Sequence, residues 1–129
     1  MKYFQIFLVT IILSFLVLTL AVKADNAKVA VSFEAKLVDQ EANASKHSAV
    51  VEAKASGLTL IDPALSSKMN TMPEGHFHYQ VDNGFVIATP VNKLAFHNLT
   101  SGKHQIMVSL ADNEHKPIGP GQMLTVTIP

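Results

Sequence analysis

The chain has 129 residues, with ten lysines, no arginine and ten acidic residues, so its formal net charge is zero. That length is one domain. With no cysteine present, disulfide scaffolds, iron–sulfur clusters, cysteine zinc fingers, thiol catalysis and thiolate copper sites are all excluded, and a neutral chain without a guanidinium is poorly equipped to read nucleic acid or phosphate.

Residues 1–24 read as an address rather than as part of the fold. Lys2 supplies the positive start, residues 3–22 are a nearly unbroken apolar run, and Val22-Lys23-Ala24 fits a signal-peptidase site, predicting cleavage between Ala24 and Asp25. The run is also long enough to span a bilayer, so an uncleaved anchor is the alternative. A lipid anchor would need a cysteine. The expected destination is the periplasm or the exterior of a bacterial cell. Removing the segment leaves a domain of residues 25–129 with eight lysines against ten acids.

Residues 28–38 alternate, with Val29, Val31, Phe33, Ala35 and Leu37 on one face, the period of a half-buried strand. Residues 40–46 read as a polar loop. A second, weaker strand runs over 47–61 and stops at Asp62-Pro63. A long connection follows, carrying Met69 and Met72. Residues 76–82 and 85–89 flank Asp82-Asn83-Gly84, and Asn-Gly between apolar runs predicts a hairpin turn with positive φ at its central residues. Within that turn, Asp82 is expected to cap its own backbone through an Asx contact. Short strands are predicted at 93–97, at 104–111, where Ile106, Val108 and Leu110 share a face, and at 122–128. About seven short strands with turns at this spacing, and no helical period, predict an all-β, immunoglobulin-like antiparallel sandwich.

Five of the six histidines lie in the second half of the chain. His76 and His78 share one face of their strand and Phe77 and Tyr79 the other, so the two imidazoles face solvent or a cleft. In such a sandwich the strand at 76–82 pairs antiparallel with the strand at 104–111. The start of the first then lies beside the end of the second. This brings His76 and His78 towards the loop that carries Asp112, Glu114 and His115. The three histidines form a candidate site for copper or zinc, with Asp112, Glu114, Met69 and Met72 as outer-shell or additional ligands. An ordinary hydrogen-bonded cluster is the alternative for the histidines, and gap-filling is the alternative for the methionines. His97 and His104 fall at the opposite pole. His104 shares parity with Ile106 and occupies the place of the corner tyrosine of such sandwiches, so it reads as a structural corner with His97 beside it. His47 reads as a surface residue.

The stretches Gly75-His76-Phe77-His78-Tyr79-Gln80-Val81-Asp82, Phe96-His97-Asn98-Leu99, Gly102-Lys103-His104 and His115-Lys116-Pro117-Ile118-Gly119-Pro120 together resemble an uncharacterised family of secreted bacterial β-rich domains. The resemblance covers about residues 57–129 and omits Met69 and Met72. It implies an exported bacterial protein with a small β domain and no particular activity. Copper-resistance sandwiches of the periplasm are the nearest functional analogy, at the level of fold alone. No nucleophile elbow, phosphate-binding glycine loop or close carboxylate pair is present, so no reaction is read from the chain. Two functions lead, a metal-binding module or a non-catalytic structural or interaction module of the cell envelope, and a third, redox or hydrolytic chemistry at the histidine site, would need an open coordination position.

Overall fold

Alternation of apolar and polar residues is carried through to the architecture. The computed structural model describes residues 30–65 and 72–129. The segment 1–24 and Met69 therefore lie outside the described residues. The strands are β1 (Ser32–Val38), β2 (Ala49–Ser56), β3 (Thr59–Leu60), β4 (Glu74–Val81), β5 (Ile87–Thr89), β6 (Lys93–Phe96), β7 (Gly102–Ala111) and β8 (Gln122–Ile128), and one short helix, α1 (Gln40–Ala44), follows β1. They form two sheets, β1-β2-β6 and β3-β4-β7-β8, with β5 paired to β4 beyond β3. All pairs are antiparallel except β3 with β4. This is an all-β sandwich with β1, β2 and β6 on one side, as the immunoglobulin-like reading expects.

The core lies between the sheets. Ala35, Val51 and Ala53 from one sheet meet Phe77, Tyr79, Ile106, Val108, Leu110, Val126 and Ile128 from the other, all buried. Period-2 geometry puts Phe77 and Tyr79 on this inner face and leaves His76, His78 and Gln80 on the outer face of β4. The Gln122 side chain exchanges two hydrogen bonds with the backbone of Ala35 across the layers, and the Tyr79 hydroxyl donates to the Val91 carbonyl, in the loop before β6, at 3.0 Å.

Three local expectations are corrected. The polar segment after β1 contains α1, whose Ala44 is buried, because Gln40-Glu41-Ala42 suit a helical turn and Asn43 ties back to the Val38 carbonyl. The predicted strand 47–61 is two strands, broken at Gly57, where φ is +81° and a Cβ would stand 2.5 Å from the Ala30 carbonyl oxygen. The β4–β5 turn is centred on Asp82 and Asn83, with φ of 47° and 58°, and closes by Gly84 N–H donating to the Val81 carbonyl at 2.7 Å. The β4–β5 pairing itself begins only at Tyr79 and Ile87, so this tight turn sits inside a wider loop.

The register of β4 on β7 sets the outer-face site. His76 pairs with Ala111 and His78 with Ser109, so the start of β4 lies beside the end of β7. Gly75 makes that approach possible: a Cβ there would meet the Ala111 carbonyl oxygen at 2.7 Å and Leu58 Cδ1 at 2.6 Å. The leucine tip can yield, but the backbone oxygen of a paired strand cannot. Gly75→Ala is therefore expected to destabilise the fold by about 1–3 kcal/mol, the usual cost of overpacking, read as a lower urea midpoint.

Candidate metal centre

His76 and His78 reach one point because residues two apart on a strand project from the same face. His115 reaches it from the loop after β7. That loop is a tight extension of the β4–β7 ladder: His115 N–H donates to the Asp112 carbonyl, Asp112 N–H to the Lys116 carbonyl and Ile118 N–H to the Leu110 carbonyl, each at 2.9 Å. Asp112 shapes the turn with its side chain as well. Its Oδ1 accepts from the N–H groups of Glu114 and Lys116, both at 2.9 Å. These bonds hold its carboxyl below the usual carboxylate range, with the Lys116 contact first among the causes. Asn113 fastens the loop to β4 by donating from Nδ2 to the Glu74 carboxylate at 2.7 Å.

The result is a triangle of nitrogens. His76 Nε2 lies 2.9 Å from His78 Nε2 and 3.3 Å from His115 Nδ1, and His78 Nε2 lies 3.2 Å from His115 Nδ1. Nitrogens at this spacing suit a zinc–imidazole bond of about 2.0–2.1 Å, so His76, His78 and His115 are the residues that would hold a transition-metal ion, through three imidazole nitrogens.

Burial is graded across the triad. His76 is fully buried, His78 half-buried and His115 exposed. The expectation that His76 faces solvent or a cleft is corrected here: it lies on the outer face of β4, yet it is fully buried, with the His115 ring of the following loop packed against it at 4.9 Å. Burial pushes the pKa of His76 below its ordinary 6.5, and the neighbouring His78 and His115 push it further; Asp112 and Asp62 oppose this. His78 is lowered by burial and then by His115. Both rings are therefore neutral at pH 7, with lone pairs available to a metal. The 2.9–3.3 Å separations are also hydrogen-bond distances between the rings, with donor and acceptor set by the tautomers. On the far side of the buried ring, His76 Nδ1 has no hydrogen-bond partner among the described residues.

His115 adopts φ of 60°, in the left-handed region where glycine is the usual occupant of a hairpin of this kind. A β-carbon there costs about 1 kcal/mol. The backbone is held in this conformation by the Asp112 turn, and the conformation aims the imidazole at β4. His115→Gly is expected to raise the stability of the protein by about 0.5–1 kcal/mol, measured by urea unfolding.

The other predicted participants are placed elsewhere. Glu114 is exposed and paired with the Lys116 ammonium. Met72 is exposed at the bend before β4. At the opposite pole His104 is buried, and its Nε2 lies 2.7 Å from the Thr100 carbonyl, the back-bond expected of a corner residue. His97 is exposed and makes no bond to His104 among the described residues. The neighbour of His104 is instead Asp82, whose carboxylate takes His104 Nδ1 and the Gln105 N–H. The Asx reading of Asp82 is thereby corrected, because its side chain crosses to β7 instead of capping its own turn. This partnership was accessible from the β4–β7 register, which sets Val81 opposite Ile106 and so Asp82 beside Gln105.

Both partners of His104 are acceptors, so both ring nitrogens donate and the ring is an imidazolium. The Thr100 carbonyl and then the Asp82 carboxylate raise its pKa; the Gln105 N–H and then His104 lower that of Asp82. The stability contributed by His104 is full below its unfolded value of 6.5 and is lost as pH rises through the raised folded value. That of Asp82 is full above 3.8 and lost as pH falls through its lowered value. The stability difference between the wild type and Asp82→Asn is thus expected to be greatest between about pH 4 and 6.5 and to shrink towards pH 9, measured by urea unfolding across the range.

Comparison with family models, with curated proteins and with solved structures finds no match to this chain. The functional reading rests on the site.

Proposed function

We propose that this chain is an exported metal-binding module, in which His76, His78 and His115 hold one copper or zinc ion. The observation that carries the reading is the convergence of three imidazole nitrogens within 2.9–3.3 Å of one another. All three donors are nitrogens, and imidazole suits zinc and copper, whereas calcium and magnesium take oxygen. Export is supported by the charged start, apolar run and cleavage-site pattern of residues 1–24. Finding Asp25 as the first residue of the mature protein would test that part.

A second reading, an interaction module with no metal, draws on a different observation. Phe85, Val86 and Ile87 are exposed in succession where the chain enters β5, and Phe85 is 98% exposed. Among the described residues β5 pairs with β4 alone. Metal titration separates the two readings.

Isothermal titration with Zn(II) and Cu(II) is expected to show one ion per chain. His78→Ala and His115→Ala should each weaken binding by at least about 100-fold, more than the loss of an outer-shell partner usually causes, and His97→Ala should leave it unchanged. Protons compete with the metal for His76 and His78, whose pKa values lie below 6.5. Affinity should therefore hold as pH is lowered to 6.5 and fall below it. Equal affinity in the wild type and in the His78→Ala/His115→Ala double variant would remove the assignment.

A further inference from the structure

A neutral imidazole that ligates a metal through one ring nitrogen carries its proton on the other. For His76 the ligating nitrogen is Nε2, which faces His78 Nε2 at 2.9 Å and His115 Nδ1 at 3.3 Å. The proton then stands on Nδ1. That atom is buried and has no hydrogen-bond partner among the described residues. A buried N–H without an acceptor is costly, and ligating histidines give this proton to a carboxylate, a carbonyl or a water. His78 is half-buried and His115 exposed, and neither has a buried, unpartnered nitrogen among the described residues. The need for an acceptor is therefore particular to His76.

A nearby atom is in the complementary condition. Asn113 Oδ1 is buried and has no donor among the described residues. Its orientation is fixed by chemistry. The other end of the amide lies 2.7 Å from Glu74 Oε2, and a carboxylate only accepts, so the amide nitrogen faces Glu74 and the oxygen turns away from it. Glu74 and His76 are two apart on β4 and project from the same face, with backbones about 7 Å apart. The loop runs alongside at the same offset: Asn113 bonds Glu74, and the ring of His115, two residues on, packs on His76 at 4.9 Å. The Asn113 amide thus takes the place next to the His76 imidazole along that face. Asp112 and Asp62 also act on His76, as charges. The Oδ1 atoms of both already accept backbone N–H groups, and neither residue has a buried, unpartnered oxygen among the described residues.

We infer that Asn113 is a positioning residue of the triad: when His76 Nε2 binds a metal ion, Asn113 Oδ1 receives the Nδ1 proton and fixes the ring with Nε2 towards the ion. The inference rests on the metal-binding reading and adds to it a residue that touches no ion. The two side chains are not bonded to each other in this structure, so the bond forms on ligation and supplies both atoms with the partner they lack.

The test follows the zinc-loaded protein by proton–nitrogen correlation NMR of its histidine rings, beside calorimetric titration. The His76 Nδ1 proton is expected to exchange with water at least about tenfold more slowly in the wild type than in Asn113→Leu, which removes its acceptor. Zn(II) affinity should fall about 10–100-fold in Asn113→Leu, the usual loss when the hydrogen-bond partner of a ligand is removed. The double variant Glu74→Gln/Asn113→Asp swaps donor and acceptor across the 74–113 bond and keeps an acceptor at 113, so it should restore both. Failure to restore them would show that Asn113 serves the loop fold alone and overturn the inference. Protection kept in Asn113→Leu but lost in Asp62→Asn would assign the acceptor to Asp62, with the same consequence. Zn(II) uptake without a protected Nδ1 proton in the wild type would remove the inference and leave the metal-binding reading standing. No uptake at all would remove both.

Discussion

The antiparallel register of β4 on β7 is the constraint from which both histidine clusters follow. Pairing His76 with Ala111 sets the start of one strand against the end of the other. The loop that leaves β7 must then turn beside β4, and its His115 arrives where His76 and His78 already project. The same ladder, followed to its other end, sets Val81 opposite Ile106 and delivers the Asp82 carboxylate to His104. A slip of one residue would reverse the faces of β4, burying His78 between the sheets and exposing Phe77 and Tyr79. Burial of those two aromatics in the core is what opposes the slip, so the packing of one face fixes the chemistry of the other.

Close approach at this junction depends on small residues. Gly75 precedes His76, a Cβ on it would stand 2.7 Å from the Ala111 carbonyl oxygen, and Ala111 itself faces His76 across the ladder. Directly paired residues project to the same side of a sheet. A large side chain at 111 would therefore occupy the space that the imidazole of His76 fills. These two positions hold no ligand atom, yet they decide whether the ligands can meet.

Much of this arrangement was legible in the sequence, for a definite reason. Period-2 alternation marks strands, and strand order with handed connections leaves few sandwich topologies, so the convergence of His76, His78 and His115 follows from placing two strands side by side. Other features were not legible, because they arise from contacts that no local pattern encodes. The helix at Gln40–Ala44 is a single turn stabilised by Asn43 and Ser48. The complete burial of His76 on an outer face depends on a loop folding back over it. The partner of His104 is Asp82, 22 positions away in sequence, and only the β4–β7 register brings the two together. The left-handed backbone at His115 had no glycine to announce it.

The two clusters respond to pH in opposite senses, and this follows from what surrounds each imidazole. His104 sits between two acceptors and gains a proton on folding, so acidification down to the carboxylate range preserves it. His76 and His78 sit among other imidazoles and under a roof of protein, so folding drives protons off them, and acid below 6.5 works against the fold at that pole. One sheet thus carries a histidine set to remain charged and a group set to remain neutral. Only the neutral group can accept a cation. In that sense the lowered pKa values of His76 and His78 and the left-handed backbone of His115 are two consequences of one arrangement, in which a strand and a loop bring three imidazoles to one place.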